Sequence, residues 1–388
     1  MNKKIIIFII IFICIFTLIK KSKIGNFLPA LLPAKNYINK KAINYKIPLI
    51  LPYKFKIEII ASGLGKPRDL AFSKKGTLIA SLQDKNLIAV FDKDHINIKG
   101  GKIKNIINNL NNPHGLTFYK DKLYVVEENQ VVRYIWNEES KTAVKEKVLF
   151  ALPKGGNHTT RTIVFNKKGQ MFVSIGSSCN VCFENNEWLA SIIVSDEEGN
   201  NPKIWAKGLR NSTFIMINPI TDELWATEMG RDMLGDNMPP DEINIIRDNK
   251  DYGWPICYSD KIYDINFNKK SSDYCLKTQS PIYNIPAHSA PLGLVFINSR
   301  MFPKEWQGDL LVAYHGSWNR SDPSGYKVVH LYVKGDKIIK SEDFITGFMQ
   351  NGQLIGRPVD LIFDNEGSLF ISDDKGGFIY KVSKDELN

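Results

Sequence analysis

"GGNHTTRTIVFNKKGQMFVSIG", residues 155–176, reads as two short β-rich runs joined by a lysine-rich turn that ends in Gly169. One feature is out of place in such a hairpin. His158 and Arg161 stand where the first run should begin to bury itself. What they face depends on whether the stretch occurs once or belongs to a repeat.

It belongs to a repeat. "GLGKPRDLAFSKKGTLIAS" (63–81), "LNNPHGLTFYKDKLYVVEE" (110–128) and "NHTTRTIVFNKKGQMFVSIG" (157–176) share one order: turn, strand, hairpin, strand. The same order returns in "LRNSTFIMINPITDELWATEMG" (209–230), "HSAPLGLVFINSRMFPKEWQGDLLVAYHG" (288–316) and "GRPVDLIFDNEGSLFISDD" (356–374). Six units therefore recur, roughly 46–79 residues apart, and the longest gap holds an insertion at residues 231–287. Further β-rich runs such as "LIAVF" (87–91) and "VVRYIW" (131–136) fill the intervals, with little helical periodicity. A four-stranded unit repeated six times at about 45 residues predicts an all-β, six-bladed β-propeller. A β-helix has shorter repeats and a sandwich pair would not repeat, so both rank below it. "FKIEIIASG" (55–63) lacks a blade before it, and "GFIYKVS" (377–383) lacks an outer partner. Pairing the two would close the ring and remove open edges, giving a propeller over residues 54–385.

The repeat phase locates a site. Inner strands of all blades run the same way along the central channel, so equivalent residues ring it at one height. Taking Asp69, Gly115, Thr162, Phe214, Gly293 and Asp360 as the strand openings, the residues just before them converge on one mouth. They include Lys66, Arg68, Asn112, His114, His158, Arg161, Arg210, Asn211, His288, Ser289 and Arg357. Like charges crowded on one axis repel unless an anion joins them. Arginine suits planar carboxylates through paired hydrogen bonds, and neutral histidine suits proton abstraction near pH 7. The mouth is thus a candidate small-molecule site, with Arg161 a pocket residue by phase.

Charge elsewhere excludes a nucleic-acid partner. The chain of 388 residues has a net charge of +10, but residues 1–55 hold ten lysines and no acid. Setting those ten aside leaves 41 basic residues against 41 acidic ones, so the propeller is neutral. The leader "MNKKIIIFIIIFICIFTLIKKSK" carries fifteen residues, Ile5–Ile19, apolar except for Thr17. Residues 1–22 are expected to be a signal peptide or membrane anchor; an uncleaved anchor is favoured because no small-x-small cleavage site follows. Residues 23–53, with four prolines, are expected to be a linker. Cys179, Cys182, Cys257 and Cys275 form an even set that suits an exported domain, and proximity pairs Cys179 with Cys182 and Cys257 with Cys275. A zinc site on "CNVC" would need a second ligand pair, and none is evident.

Several motifs carry a resemblance: "GNHTTRTIVF", "GSSCNVC", "GLRNSTF", "ELWATEMGRDMLGDNMPPDEIN", "DYGWPICY", "AHSAPLGLVF", "GDLLVAYHGSWNRS", "GRPVDL" and "LFISDDKGGFIYKV". Over residues 56–384 the sequence resembles the soluble pyrroloquinoline-quinone (PQQ)-dependent sugar dehydrogenases, most closely the sorbosone dehydrogenase-like branch. The resemblance implies oxidation of a sugar, a sugar aldehyde or a polyol by hydride transfer to PQQ, with calcium polarising the quinone. It puts His158 in the role of general base, and Arg210, Asn211, Arg357 and His288 against the cofactor. The carbonyls of Gly230 and Arg231 would serve the metal. "PPDEIN", with Asp241 and Glu242, would order a loop, bind a second calcium or form a solvated turn. The family's fifth-blade lysine is replaced by "AYHGSWNR", so His315 or Arg320 would take its place, and the second arginine after Arg357 is absent. No Cys-x-x-Cys-His occurs, so electrons would leave to a separate acceptor, a cytochrome or membrane quinone. The expected location is the periplasm, tethered at the inner membrane. Two other functions suit the fold: a calcium-dependent lactonase, which calls for carboxylates deep in the channel, and a non-catalytic propeller that binds a glycan or a protein.

Overall fold

The computed structural model describes residues 47–91, 103–154, 156–267 and 273–385. The expected anchor, residues 1–22, and most of the linker lie outside the described residues.

Six antiparallel four-stranded units make up the body, the third extended by a short parallel fifth strand, Lys250–Asp251, along Lys203–Lys207. Their first strands are Pro67–Phe72, Leu116–Tyr119, Ile163–Phe165, Ile215–Ile217, Pro291–Phe296 and Pro358–Phe363, each packed against the first strand of the next unit until the sixth meets the first. This is the ring of inner strands that the repeat predicts. The sixth blade is completed by Phe55–Ala61, which pairs antiparallel with Phe378–Lys384 from Phe55 opposite Lys384 to Ala61 opposite Ile379. The two ends of the domain thus fasten one blade. The packed chain begins ahead of residue 54: Ile50 bridges to Thr346, and Ile47, Leu49 and Leu51 pack against the fifth–sixth interface.

Why these strands form follows from burial on both faces. The second strand of each blade is a short, mainly apolar run buried throughout apart from Lys122, as in Leu78–Leu82 and Leu310–Tyr314. Successive side chains point to opposite faces, so each strand feeds two interfaces. Leu78, Ala80 and Leu82 join the cluster against the sixth blade, while Ile79 joins the cluster against the second. Six such clusters fill the six interfaces between blades. Near the axis the backbones approach closely. A Cβ on Gly115 would lie 2.7 Å from the Arg161 carbonyl oxygen, and one on Gly293 would lie 2.6 Å from that of Val359. Glycine is required at both places because no side chain fits between neighbouring inner strands.

Side chains at the strand openings tie the blades together. The Leu116 N–H donates to Asp69 Oδ2 and the Leu70 N–H to Asp360 Oδ2, each at 2.8 Å. Ser372 donates through Oγ to the Arg68 carbonyl at 2.6 Å, and Thr162 to that of Thr213 at 2.5 Å. Burial, and then repulsion from Asp360, pushes the Asp69 carboxyl well up.

The insertion at 231–287 is not a separate unit. It supplies the third and fourth strands of the fourth blade, Asp241–Ile246 and Tyr283–Ile285. Between them lie a small hairpin, Cys257–Tyr258 with Ile262–Tyr263, and a helical turn, Asp273–Leu276. The Cys257–Cys275 disulfide joins hairpin to turn, and Cys179–Cys182 closes a four-residue loop elsewhere, so both pairings form as expected.

Candidate functional site

The loops before the inner strands carry the residues that repeat phase assigns to the mouth. His158 lies in the loop entering the third blade, partly exposed. Its Nδ1 lies 2.8 Å from Ser177 Oγ and 3.1 Å from the Ser177 carbonyl oxygen. Ser177 has one hydroxyl proton, and it is donated to the Cys179 carbonyl at 2.7 Å. The proton between His158 and Ser177 therefore belongs to Nδ1, which leaves the lone pair on Nε2. Nε2 takes no partner among the described residues. Burial, and then the Arg210 charge, brings the imidazole down to about 3, so it is neutral at ordinary pH.

Arg210 opens the fourth blade and is enclosed by oxygens. Its Nε donates to the Asn180 carbonyl and its Nη2 to Asn180 Oδ1, both at 2.9 Å. Nη2 also meets Asp232 Oδ2 at 2.9 Å, and Nη1 donates to the Gly230 carbonyl at 3.0 Å. Neighbouring Asn211 donates its N–H to Glu228 Oε1 at 2.8 Å, and Ser212 donates to the other oxygen of that carboxyl. Burial pushes Glu228 up to about 8.

Arg161, 0% exposed, donates through Nη1 to the carbonyls of His158 at 2.7 Å and Thr160 at 2.9 Å. Burial lowers it to about 10, which leaves it charged. Its Nε has no partner, and among the described residues no carboxylate pairs with it. Deeper in the channel His114 is held through Nδ1, 2.9 Å from the Arg161 carbonyl oxygen, and its Nε2 is buried without a partner.

The fifth and sixth blades make a different arrangement. Arg357 Nη1 donates to His315 Nδ1 at 3.2 Å, and His315 Nε2 donates to Asp374 Oδ1 at 2.9 Å. Asp374 also pairs with Arg68 Nη1. Of the two residues that could replace the missing lysine, His315 is the one joined to Arg357. Arg320 instead fixes a loop: its Nη1 donates to the carbonyls of Asp236 at 2.8 Å and Ala287 at 3.1 Å, and its Nη2 to Asn237 Oδ1 at 3.0 Å. His288 does the same, with Nε2 2.8 Å from the Gly235 carbonyl oxygen. These two sequence candidates come together on the Gly235–Asn237 loop and not with His158.

Gly230 and Arg231 sit at the start of the insertion, beside Arg210. The Arg231 side chain is spent on a buried pair with Asp264, so only its carbonyl is free for a metal. Asp241 and Glu242 are buried, which corrects the solvated-turn alternative. Asp241 accepts from the N–H of Gly230 at 2.9 Å and of Ala290 at 2.8 Å, and Glu242 from that of Ser259 at 2.7 Å. Both order loops around the mouth. Sequence reasoning missed Asn180, Ser177, Asp232 and Asp374. Two of them fall within "GSSCNVC" and one within "SDDKGG", so motif position was the only signal they gave. The Cys179, Cys182 and Glu184 ligand atoms lie within 4.8 Å of one another, yet the sulfurs are bonded to each other and Glu184 accepts from Ser178 Oγ at 2.6 Å.

A neutral histidine with a free lone pair beside Arg210 and an Arg161 that lacks a carboxylate partner suits an anionic ligand, and this donor set fits a quinone bearing carboxylates. Fold and loops together define a six-bladed propeller with histidines and arginines gathered in the loops at one end of its inner strands. The chain belongs to the TrAA12-like family, which matches residues 50–385. It is 26% identical over 267 residues to the aldose sugar dehydrogenase YliI of Escherichia coli K12, an alignment that covers 63% of this chain and 65% of that protein. Two solved structures share the fold. The calcium structure of the Trichoderma reesei family AA12 carbohydrate-active enzyme superposes with a TM-score of 0.75 at 20% identity, covering 89% of this chain and all of that one. The holo PQQ domain of Coprinopsis cinerea pyranose dehydrogenase gives 0.73 at 19%, covering 87% and 97%. The chain is thus a relative of the PQQ-dependent sugar dehydrogenases, as its motifs imply.

Proposed function

We propose that the chain oxidises a sugar, a sugar aldehyde of the sorbosone kind or a polyol, with PQQ and calcium held at the propeller mouth. The observation that carries this reading is the fixed tautomer of His158, which turns the Nε2 lone pair away from Ser177 and leaves it free. Arg161, Arg210, Asn211 and Arg357 would hold the quinone's carboxylates. The carbonyls of Gly230 and Arg231 would offer calcium the hard oxygen ligands it takes. Bound, the quinone supplies a two-electron hydride acceptor and the calcium a Lewis acid against its oxygen.

The chain's own task is proton transfer and placement. Nε2 of His158 would accept the proton from the substrate hydroxyl oxygen as the carbon bearing that hydroxyl gives up its hydride. The imidazolium so formed is stabilised through Nδ1–H on Ser177. A free-chain value near 3 makes a weak base, because burial and Arg210 both disfavour the charged form. An anionic ligand that neutralises Arg210 and Arg161 raises that value, so the base strengthens only when the mouth is loaded. Arg320 and His288, by fixing the Gly235–Asn237 loop, shape the wall that admits substrate.

The lysine-rich apolar leader supports a periplasmic location on an inner-membrane tether, with electrons passing to a separate cytochrome or membrane quinone. The testing experiment is reconstitution of purified protein with PQQ and Ca²⁺, followed by dye reduction on a panel of aldoses, sugar aldehydes and polyols. Turnover on one class that vanishes in His158→Ala supports the reading. Absence of turnover on every class sinks it.

A further inference from the structure

Both residues at the centre of the proposed chemistry lean on one four-residue loop. Cys179–Asn180–Val181–Cys182 is closed by its own disulfide. Its Cys179 carbonyl takes the Ser177 hydroxyl proton, which sets the His158 tautomer. Asn180 binds Arg210 twice, through its carbonyl to Nε and through Oδ1 to Nη2. The same Oδ1 accepts the Asp232 N–H at 2.8 Å, and Asn180 Nδ2 donates to the Asp232 carbonyl at 3.2 Å. The Trp254 indole N–H reaches the Asn180 carbonyl at 3.3 Å. Asn180 is thus where the third blade, Arg210 and the insertion meet. Its backbone is fixed from both sides by the sulfur bridge.

We propose that Asn180 is the positioning residue of Arg210, and that the Cys179–Cys182 bond is what holds Asn180 in place for it. The proposal rests on the quinone reading of the mouth. The geometry separates the two disulfides: Cys257 and Cys275 are buried, at 4% and 1% exposed, whereas Cys179 and Cys182 are partly exposed at the mouth. A dithiol reductant therefore reaches Cys179–Cys182 first. The exchange moves two electrons and two protons: the reductant closes to its own disulfide, and Cys179 and Cys182 become thiols. Asn180 then loses the constraint that aims its carbonyl at Nε. Arg210 keeps Asp232 on Nη2 and the Gly230 carbonyl on Nη1, but Nε loses its acceptor, so the guanidinium is less firmly aimed.

The test measures quinone binding to the apo chain, so it does not depend on turnover. PQQ is titrated by its visible absorbance, with Ca²⁺ present, into wild type, Asn180→Ala, Asn180→Asp, and wild type reduced with dithiothreitol. Thiol alkylation of a parallel sample should count two thiols beyond Cys14. Asn180→Ala removes the Oδ1 bond to the charged Nη2 and leaves the main-chain carbonyl on Nε, so the expected loss is about tenfold. Asn180→Asp, which keeps an acceptor for Nη2, should recover at least about fivefold of it. Reduced wild type should weaken by a similar factor or more, since the released loop loses its aim at both Nε and Nη2, and reducing Asn180→Ala should add at most the loss of the carbonyl contact at Nε. Affinity unchanged in a folded Asn180→Ala overturns the proposal, and so does affinity unchanged after reduction. If Asn180→Ala does not fold, the reduction arm decides alone. A wild type that takes up no quinone overturns the underlying reading instead, which separates the two failures.

Discussion

The two halves of the propeller mouth carry similar residues in opposite settings. In the third and fourth blades His158 keeps a free Nε2, Arg161 lacks a carboxylate partner, and Arg210 is held largely by amide oxygens. In the fifth, sixth and first blades His315 has both ring nitrogens occupied, one by Arg357 and one by Asp374, and Asp374 also takes Arg68. Each half carries a histidine and an arginine, His158 with Arg161 by repeat phase and His315 beside Arg357 by the motif "AYHGSWNR". The partner decides the role: in one half His158 keeps a free nitrogen and Arg161 has no carboxylate, while in the other Asp374 ties up His315 and Arg68. His315 cannot accept a substrate proton in this arrangement, and His158 can.

The comparison breaks most sharply at the two histidines. His158→Ala should lower kcat by about 10²–10⁴-fold, the usual weight of a positioned base, with quinone affinity kept within a few-fold. Steady-state kinetics and a binding titration on one preparation check this. If the loss sits in affinity and not in kcat, His158 belongs to binding. Arg210→Ala should weaken quinone binding about tenfold to a hundredfold, since a charge-assisted pair is lost.

Asp374→Ala is the counterpart on the other side. It leaves Arg68 and His315 without their carboxylate, and breaking a buried ion pair costs about 3 kcal/mol of stability. Denaturant unfolding should show that loss while quinone affinity changes less than threefold. A large affinity loss would mean the two halves are not distinct. Asp374 is held well below the usual carboxylate range by His315 and Arg68, although burial opposes them. Its contribution is therefore present above pH 4 and is lost as pH falls below that.

Smaller effects concern pH near neutrality. The His158 imidazole, at about 3 in the free chain, should titrate higher once PQQ is bound, readable in the ring-proton NMR shift. No upward movement would mean the ligand does not offset Arg210. A buried neutral histidine also favours folding less as pH falls from about 6.5 toward 3, because the unfolded chain binds the proton first. Glu228 acts the other way. Raised to about 8, it loses stability as pH rises from 4.5 toward 8, so Glu228→Gln should match wild type at pH 4 in thermal melts and exceed it by a growing margin up to pH 9.

Much of this was readable from spacing. Blade number, closure through Phe55–Ala61 and the mouth positions of His158, Arg161, Arg210 and Arg357 follow from a repeat whose strands alternate faces. The partners were not readable, because a hydrogen bond such as Asn180 to Arg210 joins loops 30 residues apart whose relative placement no local pattern records. Arg320 shows the same limit: its sequence position puts it in the fifth blade, but only the fold reveals that it grips Asp236, 84 residues earlier in the chain. The acidic "PPDEIN" stretch was ambiguous for a related reason, since burial of Asp241 depends on the Gly230 and Ala290 N–H groups that converge on it.

The most direct test of the open-mouth account is an anaerobic single turnover. Apo protein is loaded with PQQ and Ca²⁺, freed of excess, and mixed with aldoses while the quinone absorbance is followed. The account predicts stoichiometric uptake of one quinone per chain, then loss of the oxidised-quinone band on adding substrate. Failure of the chain to retain the quinone, or a band unchanged by every sugar, sugar aldehyde and polyol offered, would contradict it.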